Sequence, residues 1–426
     1  MTRDLNPRLL LRILPAAFLF SLLAACGKSP SPSSPSIQGP RPLRSDTRPD
    51  LLLLSIDSYR ADDVGDGHRG SPTESLDQLA LQGIWFEEAY SLAPLSLASC
   101  GTILTGRPAE SLGLAFPGGT LRPDSPTLAS LLSTAGYETA AAVSSRRVGR
   151  TAGLERGFGR FDEPGTQTLD REPQETADAA VKMLGGDASK PLFIWVHLTN
   201  RFESTDEKKT TEQQMAYQAG LQRVDRATAD ILQAFAFRRS PARAVVVAGT
   251  YGTELGEHGL VGNGKTLFES AVRVPLILVM PGFGAIRSNV RASHLDVLPT
   301  LAAIAGIRVP EGLPGRRLDE LATLTGPLDR PLILESRLPE ALGEGARVIG
   351  FRKGDWKLVE QGETGWLFNL RDDREEIRNL RSTRPLEWTR LKQEREELQK
   401  NLLRPFGENT VPGADAARLR SLGYLP

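Results

Sequence analysis

SLAPLSLASCGTILTGR, residues 91–107, is a polar loop that leads into a run of small residues with helical character and stops at Thr105-Gly106-Arg107. Ser96 stands just before the run from Leu97 to Leu104. Its hydroxyl is therefore expected beside unpaired backbone N–H groups and the positive end of a helix dipole. A nucleophile that attacks a sulfate or phosphate ester belongs in such a place. An ordinary serine N-cap is the plainer reading of the same residue.

Working outward, Leu51 to Ile56 is a continuous apolar run ending in Asp57, the pattern of a parallel strand buried on both faces. Ligands of open α/β sheets sit beyond the carboxyl ends of such strands, which places Asp57 at a candidate site. Residues 191–197 and 244–248 repeat the pattern, each with polar residues following, and 138–143 reads as a further strand. Residues 71–91 predict a helix closed by Gly83 and then a short strand. Helices are also expected over 127–135, 217–235 and 385–403. Residues 331–380 shift to short strands and turns, an expected small antiparallel sheet.

The 52 basic and 52 acidic residues cancel, so no broad basic footprint points to nucleic acid. Arg3, Arg8 and Arg12 precede an apolar run over 16–23 that is too short for a comfortable membrane span. This is a signal peptide in composition and order. Leu23-Ala24-Ala25-Cys26 looks like a bacterial lipobox, implying cleavage before Cys26 and a lipid on its thiol; simple secretion is the alternative. Gly27 after the cysteine favours the outer membrane of a Gram-negative envelope. The only other cysteine is Cys100, so no disulfide framework is expected. Residues 27–49 are too rich in Pro and Ser to bury a core and read as a tether.

Ser96-x-Ala98-Ser99 followed by Thr105-Gly106-Arg107 resembles the signature of sulfatases, members of the alkaline phosphatase superfamily. So do the opening LLLLSIDSYRAD, the segment GTYGTELGEHG over 249–259, GNGKTLFE over 262–269 and the tail RLRSLGY over 418–424. The resemblance runs from about Asp50 to Tyr424. It implies an α/β three-layer sandwich with a central, mostly parallel sheet over 50–325 and a small α+β subdomain over 326–426. It also implies a nucleophile at Ser96, supported by Lys265 and His197. The implied cofactor is Ca2+, with Asp57 as its ligand and Ser58, Thr250 and Tyr251 as weak ones.

The chain departs from the pattern inside that centre. Thr250 and Tyr251 stand where the family has an aspartate and a histidine or asparagine that bind metal. Cys100 replaces the arginine beside the nucleophile, while Phe202 and Asn263 replace histidines. A hard cation such as calcium takes six or more oxygens, several of them anionic, and Asp57 alone is anionic here. The sequence thus predicts a surface lipoprotein of sulfatase type with impaired or lost metal-dependent hydrolysis, a pseudoenzyme that binds sulfated or other anionic ligands. The alternative is an active sulfuric ester hydrolase or phosphodiesterase using Asp62, Asp63 or Glu254 as replacement ligands. Oligomeric state is not legible.

Overall fold

The segment Asp50–Asp57 carries consecutive apolar residues at Leu51–Leu54 and again at Ile56 because both faces of the strand it forms are covered. The computed structural model describes residues 48–65, 72–186, 188–202, 210–324, 328–403 and 416–424. All of them lie in one unit, Pro40–Pro426. Cys26 and the proposed signal peptide lie outside the described residues, among which no helix is long and apolar enough to cross a membrane.

Asp50–Asp57 sits inside an eight-stranded sheet. The order is Ile286–Ser288, Ile84–Phe86, Leu276–Val279, Arg243–Gly249, Asp50–Asp57, Leu192–Thr199, Glu138–Val143 and Arg160–Asp162. The five strands from Arg243–Gly249 to Arg160–Asp162 are mutually parallel. Leu276–Val279 alone runs against its neighbours. This is the α/β architecture and mostly parallel sheet expected.

Side-chain alternation divides the core. Leu51, Leu53, Trp195 and Val246 pack on one face with Ala98 and Ile103 of helix Ser96–Thr105, Leu132 of Leu128–Thr134 and Leu301 of Val297–Ile304. Leu52, Leu54, Ile194 and Val247 pack on the other with Leu76 of Glu74–Gln82, Ala177 of Pro173–Leu184 and Leu221 and Val224 of Thr210–Phe237. Three layers result. At the amino end of the central strand, buried Asp50 accepts from the Leu192 N–H at 2.8 Å and pairs with Arg238 at 3.0 Å, which fixes the edge of the sheet opposite the site.

Boundaries differ from expectation mainly in the long helix, which starts at Thr210 rather than Tyr217 because the polar turn before the apolar stripe continues the same helix. Thr127 caps its helix and exchanges hydrogen bonds with Ser130, a capping box. The C-terminal sheet is antiparallel in the order Leu332–Ser336, Val348–Lys353, Trp356–Gln361, Thr364–Asn369. Helix Pro385–Leu403 packs on it through fully buried Leu391. Buried Lys357 on this sheet bonds Glu269 Oε1 at 2.9 Å and lies 2.9 Å from Glu376 Oε1. Glu269 opens helix Glu269–Val272, outside this sheet, so the C-terminal sheet is joined to the rest of the unit through an ionic core.

Candidate active site

Parallel strands deliver their carboxyl ends to one edge, and the candidate site forms there. Asp57 ends the central strand, the neighbouring strand ends at Gly249 just before Thr250 and Tyr251, and Leu192–Thr199 supplies His197 and leads to Asn200. Helix Ser96–Thr105 arrives from the covering layer with its first residue over this edge. Ser96 is not the N-cap: Leu95 holds that position, without a side-chain cap. The Ser96 hydroxyl instead donates to Asp57 Oδ2 at 2.7 Å.

Asp57 is the hub, and it is buried. Thr250 Oγ1 donates to Oδ1 at 2.5 Å, and His197 Nε2 stands 3.4 Å from Oδ2. The far side of the imidazole is held as well, with Nδ1 3.0 Å from Ser55 Oγ, which also accepts from Trp195 Nε1 at 2.8 Å. Burial alone would raise the Asp57 pKa, but the adjacent imidazole and the two hydroxyl donors outweigh it and hold the carboxyl below its usual range. Burial would likewise lower His197, yet the Asp57 carboxylate takes it well above 6.5. The two form a buried ion pair.

Cys100, 3.7 Å from His197 Nδ1, has its thiol pushed up by burial and stays neutral behind the pair. Tyr251 is also pushed up, by burial and then by the Asp57 charge, and remains a neutral phenol. Ser58 takes a left-handed backbone with φ of 50°, an uncommon conformation for a residue with a Cβ, and its carbonyl accepts from Asn200 Nδ2 at 3.3 Å. The turn that follows Asp57 is thus held by the neighbouring strand's loop.

These groups open onto a cavity of about 730 Å³. Asp57, Ser58, Ser96 and Tyr251 form its floor, with Asn200, Phe202 and Asn263 on its walls. Arg147 lines it while bonded to both Asp170 oxygens at 2.9 Å. At the rim, Arg201 and Arg223 share Glu172 at 3.3 and 3.6 Å.

A family model described as Sulfatase matches residues 49–307. The chain belongs to the sulfatase family. It is 29% identical over 200 residues to choline-sulfatase of Rhizobium meliloti (strain 1021), a match covering 46% of this chain and 38% of that protein. It is 28% identical over 379 residues to arylsulfatase A of Bos taurus, covering 72% and 74%. The choline-sulfatase match thus spans well under half of that relative. Among solved structures, one titled as a complex with its substrate D-glucosamine-2-N,6-O-disulfate superposes at a TM-score of 0.70 and 17% identity, covering 85% of this chain and 99% of that one. Phosphonate monoester hydrolase of Agrobacterium radiobacter superposes at 0.68 and 15%, covering 84% and 96%. At these identities the likeness is one of fold.

Members of the sulfatase family use a metal ion, and the residues present here do not fit one. Asp57 is the single carboxylate at the floor, and both its oxygens are engaged by Ser96, Thr250 and His197. Thr250 and Tyr251 bring neutral oxygens, where calcium takes six to eight oxygens with several charges. Among the described residues no group of three or more His, Cys, Asp or Glu is placed to hold a metal. The proposed replacement ligands are committed elsewhere. Asp62 pairs with Arg60 at 2.7 Å, Asp63 accepts from the Tyr217 hydroxyl, and Glu254 accepts from Thr266 at 2.9 Å.

The structure therefore brings together Asp57, Ser58, Ser96, His197, Thr250 and Tyr251, with His197 behind the floor rather than in the cavity. It does not bring in Lys265, whose half-exposed ammonium pairs with Glu344 at 2.8 Å. Gly262 and Gly264, both of positive φ, flank Asn263, and it is Asn263 that faces the cavity. Sequence reasoning missed Arg147, Asp170, Glu172, Arg223 and Tyr424. Arg147 and Asn200 had a usable signal, since each follows the carboxyl end of a buried strand.

Proposed function

We propose that this sulfatase-family chain is an envelope lipoprotein, anchored through Cys26, whose centre binds a sulfated sugar without metal-dependent hydrolysis. The observation that carries the reading is the donor set at the floor: Asp57 is its single carboxylate, already engaged by Ser96, Thr250 and His197, and the neighbouring Thr250 and Tyr251 bring only neutral oxygens. For the ligand, the rim offers two guanidinium groups against the single Glu172 carboxylate, and a guanidinium carries five donors suited to planar oxyanions. The cavity volume suits a short oligosaccharide. A structural neighbour's substrate, D-glucosamine-2-N,6-O-disulfate, supplies a suitable probe.

Elemental analysis of the soluble form from Gly27 onward, purified without chelators, is expected to find far less than one divalent ion per chain. About one calcium per chain, lost in Asp57→Ala, would overturn the metal-free reading. Calorimetry of the same sample with the disulfated glucosamine is expected to give saturable binding, weakened in Arg223→Ala; a flat titration of folded protein would remove the ligand half.

A second reading, ester hydrolysis, is favoured by the 2.7 Å contact between Ser96 Oγ and Asp57 Oδ2, which joins a hydroxyl to a base. Against it, the held-down Asp57 pKa makes that carboxylate a weak proton acceptor. Turnover of 4-nitrophenyl sulfate that disappears in Ser96→Ala would establish it.

A further inference from the structure

The C-terminal helix Ala416–Ser421 ends in a defined turn. The Tyr424 N–H bonds the Leu419 carbonyl and the Gly423 N–H the Arg420 carbonyl, both at 2.9 Å, with Gly423 at φ of 67°. This is a Schellman motif, and it requires a residue at 423 that accepts the left-handed region. Its consequence is to send residue 424 back toward the body of the protein.

The tail is seated there by specific contacts. Leu419 and Leu422 are buried. Arg418 donates to Thr120 Oγ1 at 2.8 Å and to the Thr151 carbonyl at 3.1 Å. Arg147 donates through Nε to the Leu422 carbonyl at 2.9 Å and lies 5.4 Å from the centroid of the Tyr424 ring. A Cβ added at Gly423 would come within 3.1 Å of Arg147 Nη2 and Leu169, so backbone conformation and close approach both select glycine. The same Arg147 is fixed by Asp170, and so one guanidinium binds the tail to the wall of the cavity.

Tyr424 lines that cavity with Ser96 and Tyr251. Its hydroxyl has no hydrogen-bond partner among the described residues and is not shut off from the cavity. Burial pushes its pKa up to about 12 although Arg147 pulls it down, so it is a donor at neutral pH.

We propose that Gly423-Tyr424 is a ligand-binding element of this centre: the docked tail presents the Tyr424 hydroxyl as a hydrogen-bond donor to an oxygen of the bound sulfated sugar. This rests on the ligand reading above and names a residue that determines its specificity. Arg147 is the positioning residue.

The test is calorimetry with D-glucosamine-2-N,6-O-disulfate on the intact soluble chain, on Tyr424→Phe and on a chain ending at Leu422, each checked by thermal melting. Tyr424→Phe keeps the ring and its contact with Arg147, so it should melt with the parent yet bind about tenfold more weakly. The shortened chain should lose more, and hydrogen exchange around Arg147 should quicken as it loses the Tyr424 ring and the tail its closing turn. Binding by the parent that is unchanged in Tyr424→Phe would overturn the tail proposal alone. No binding by the folded parent would instead overturn the ligand reading on which it stands.

Discussion

Lys357→Met is expected to destabilise the protein by about 3–5 kcal/mol, the range for removing one partner of a buried ion pair. Lys357 is fully buried, with its ammonium between Glu269 and Glu376 at 2.9 Å each. The Glu269 carboxylate also accepts from the Tyr90 hydroxyl at 2.9 Å, and the Glu269 N–H donates to Glu376 Oε2 at 2.6 Å. Burial would raise Glu269, but Lys357, aided by Arg352 and Arg273, takes it down. Glu376 is pushed up to about 7, since burial dominates and Lys357 offsets it only in part.

Methionine fills most of the lysine stem's volume but leaves two close carboxyl groups without their cation. One of them must take a proton to stay inside. Urea unfolding at neutral pH should show the loss as a lower midpoint. The double variant Lys357→Met with Glu376→Gln should recover part of it, because one carboxylate can keep Arg352 and Arg273. A midpoint unmoved by Lys357→Met would mean that the C-terminal sheet is held by its apolar contacts, chiefly Leu267, Leu334 and Val348, and not by this triad.

That triad was not legible in the sequence, and the reason separates what could be read from what could not. Leu51 to Asp57 announced a buried strand with a polar residue at its carboxyl end because burial on both faces leaves a compositional trace. Glu138–Val143, a short apolar run, and Pro385–Leu403, a charged helical stretch, were placed to the residue. Lys357 lies in the segment Lys353-Gly354-Asp355-Trp356-Lys357, where one lysine looks like another. Only pairing of Trp356–Gln361 with both neighbouring strands puts its side chain inside.

The site divides along the same line. Asp57, Ser96, Thr250 and Tyr251 were found through motif positions, and the fold does gather them. Lys265 carried an equally good motif position, but the turn around Asn263 leaves it paired with Glu344 at the surface. Tyr424 belonged to a recognised tail, yet nothing in the sequence ties residue 424 to residue 57. Long-range docking through Arg147 makes that link.

His294 gives the second large effect, through pH. Its ring is fully buried, with Nε2 2.8 Å from the carbonyl of Gly249, the residue before Thr250. That contact needs a proton on Nε2, which a neutral ring supplies. Burial takes the pKa down from 6.5 to about 4, with the Gly249 carbonyl pulling weakly the other way. Between those values the unfolded chain binds a proton that the folded chain refuses, so stability rises with pH. The penalty is absent above pH 6.5 and grows as pH falls, so that the stability lost by pH 4 reaches about 3 kcal/mol at 1.36 kcal/mol per unit. Other groups titrate in this window too, so the decisive quantity is a difference. His294→Gln keeps an amide donor for Gly249 but cannot ionise. Its stability should be lower than the parent's at pH 7.5 and should approach or pass it near pH 4. Equal slopes for the two proteins between pH 6.5 and 4 would show that His294 takes up its proton in the folded state. The turn carrying Thr250 would then be held by the strand pairing of Arg243–Gly249 and not by this ring.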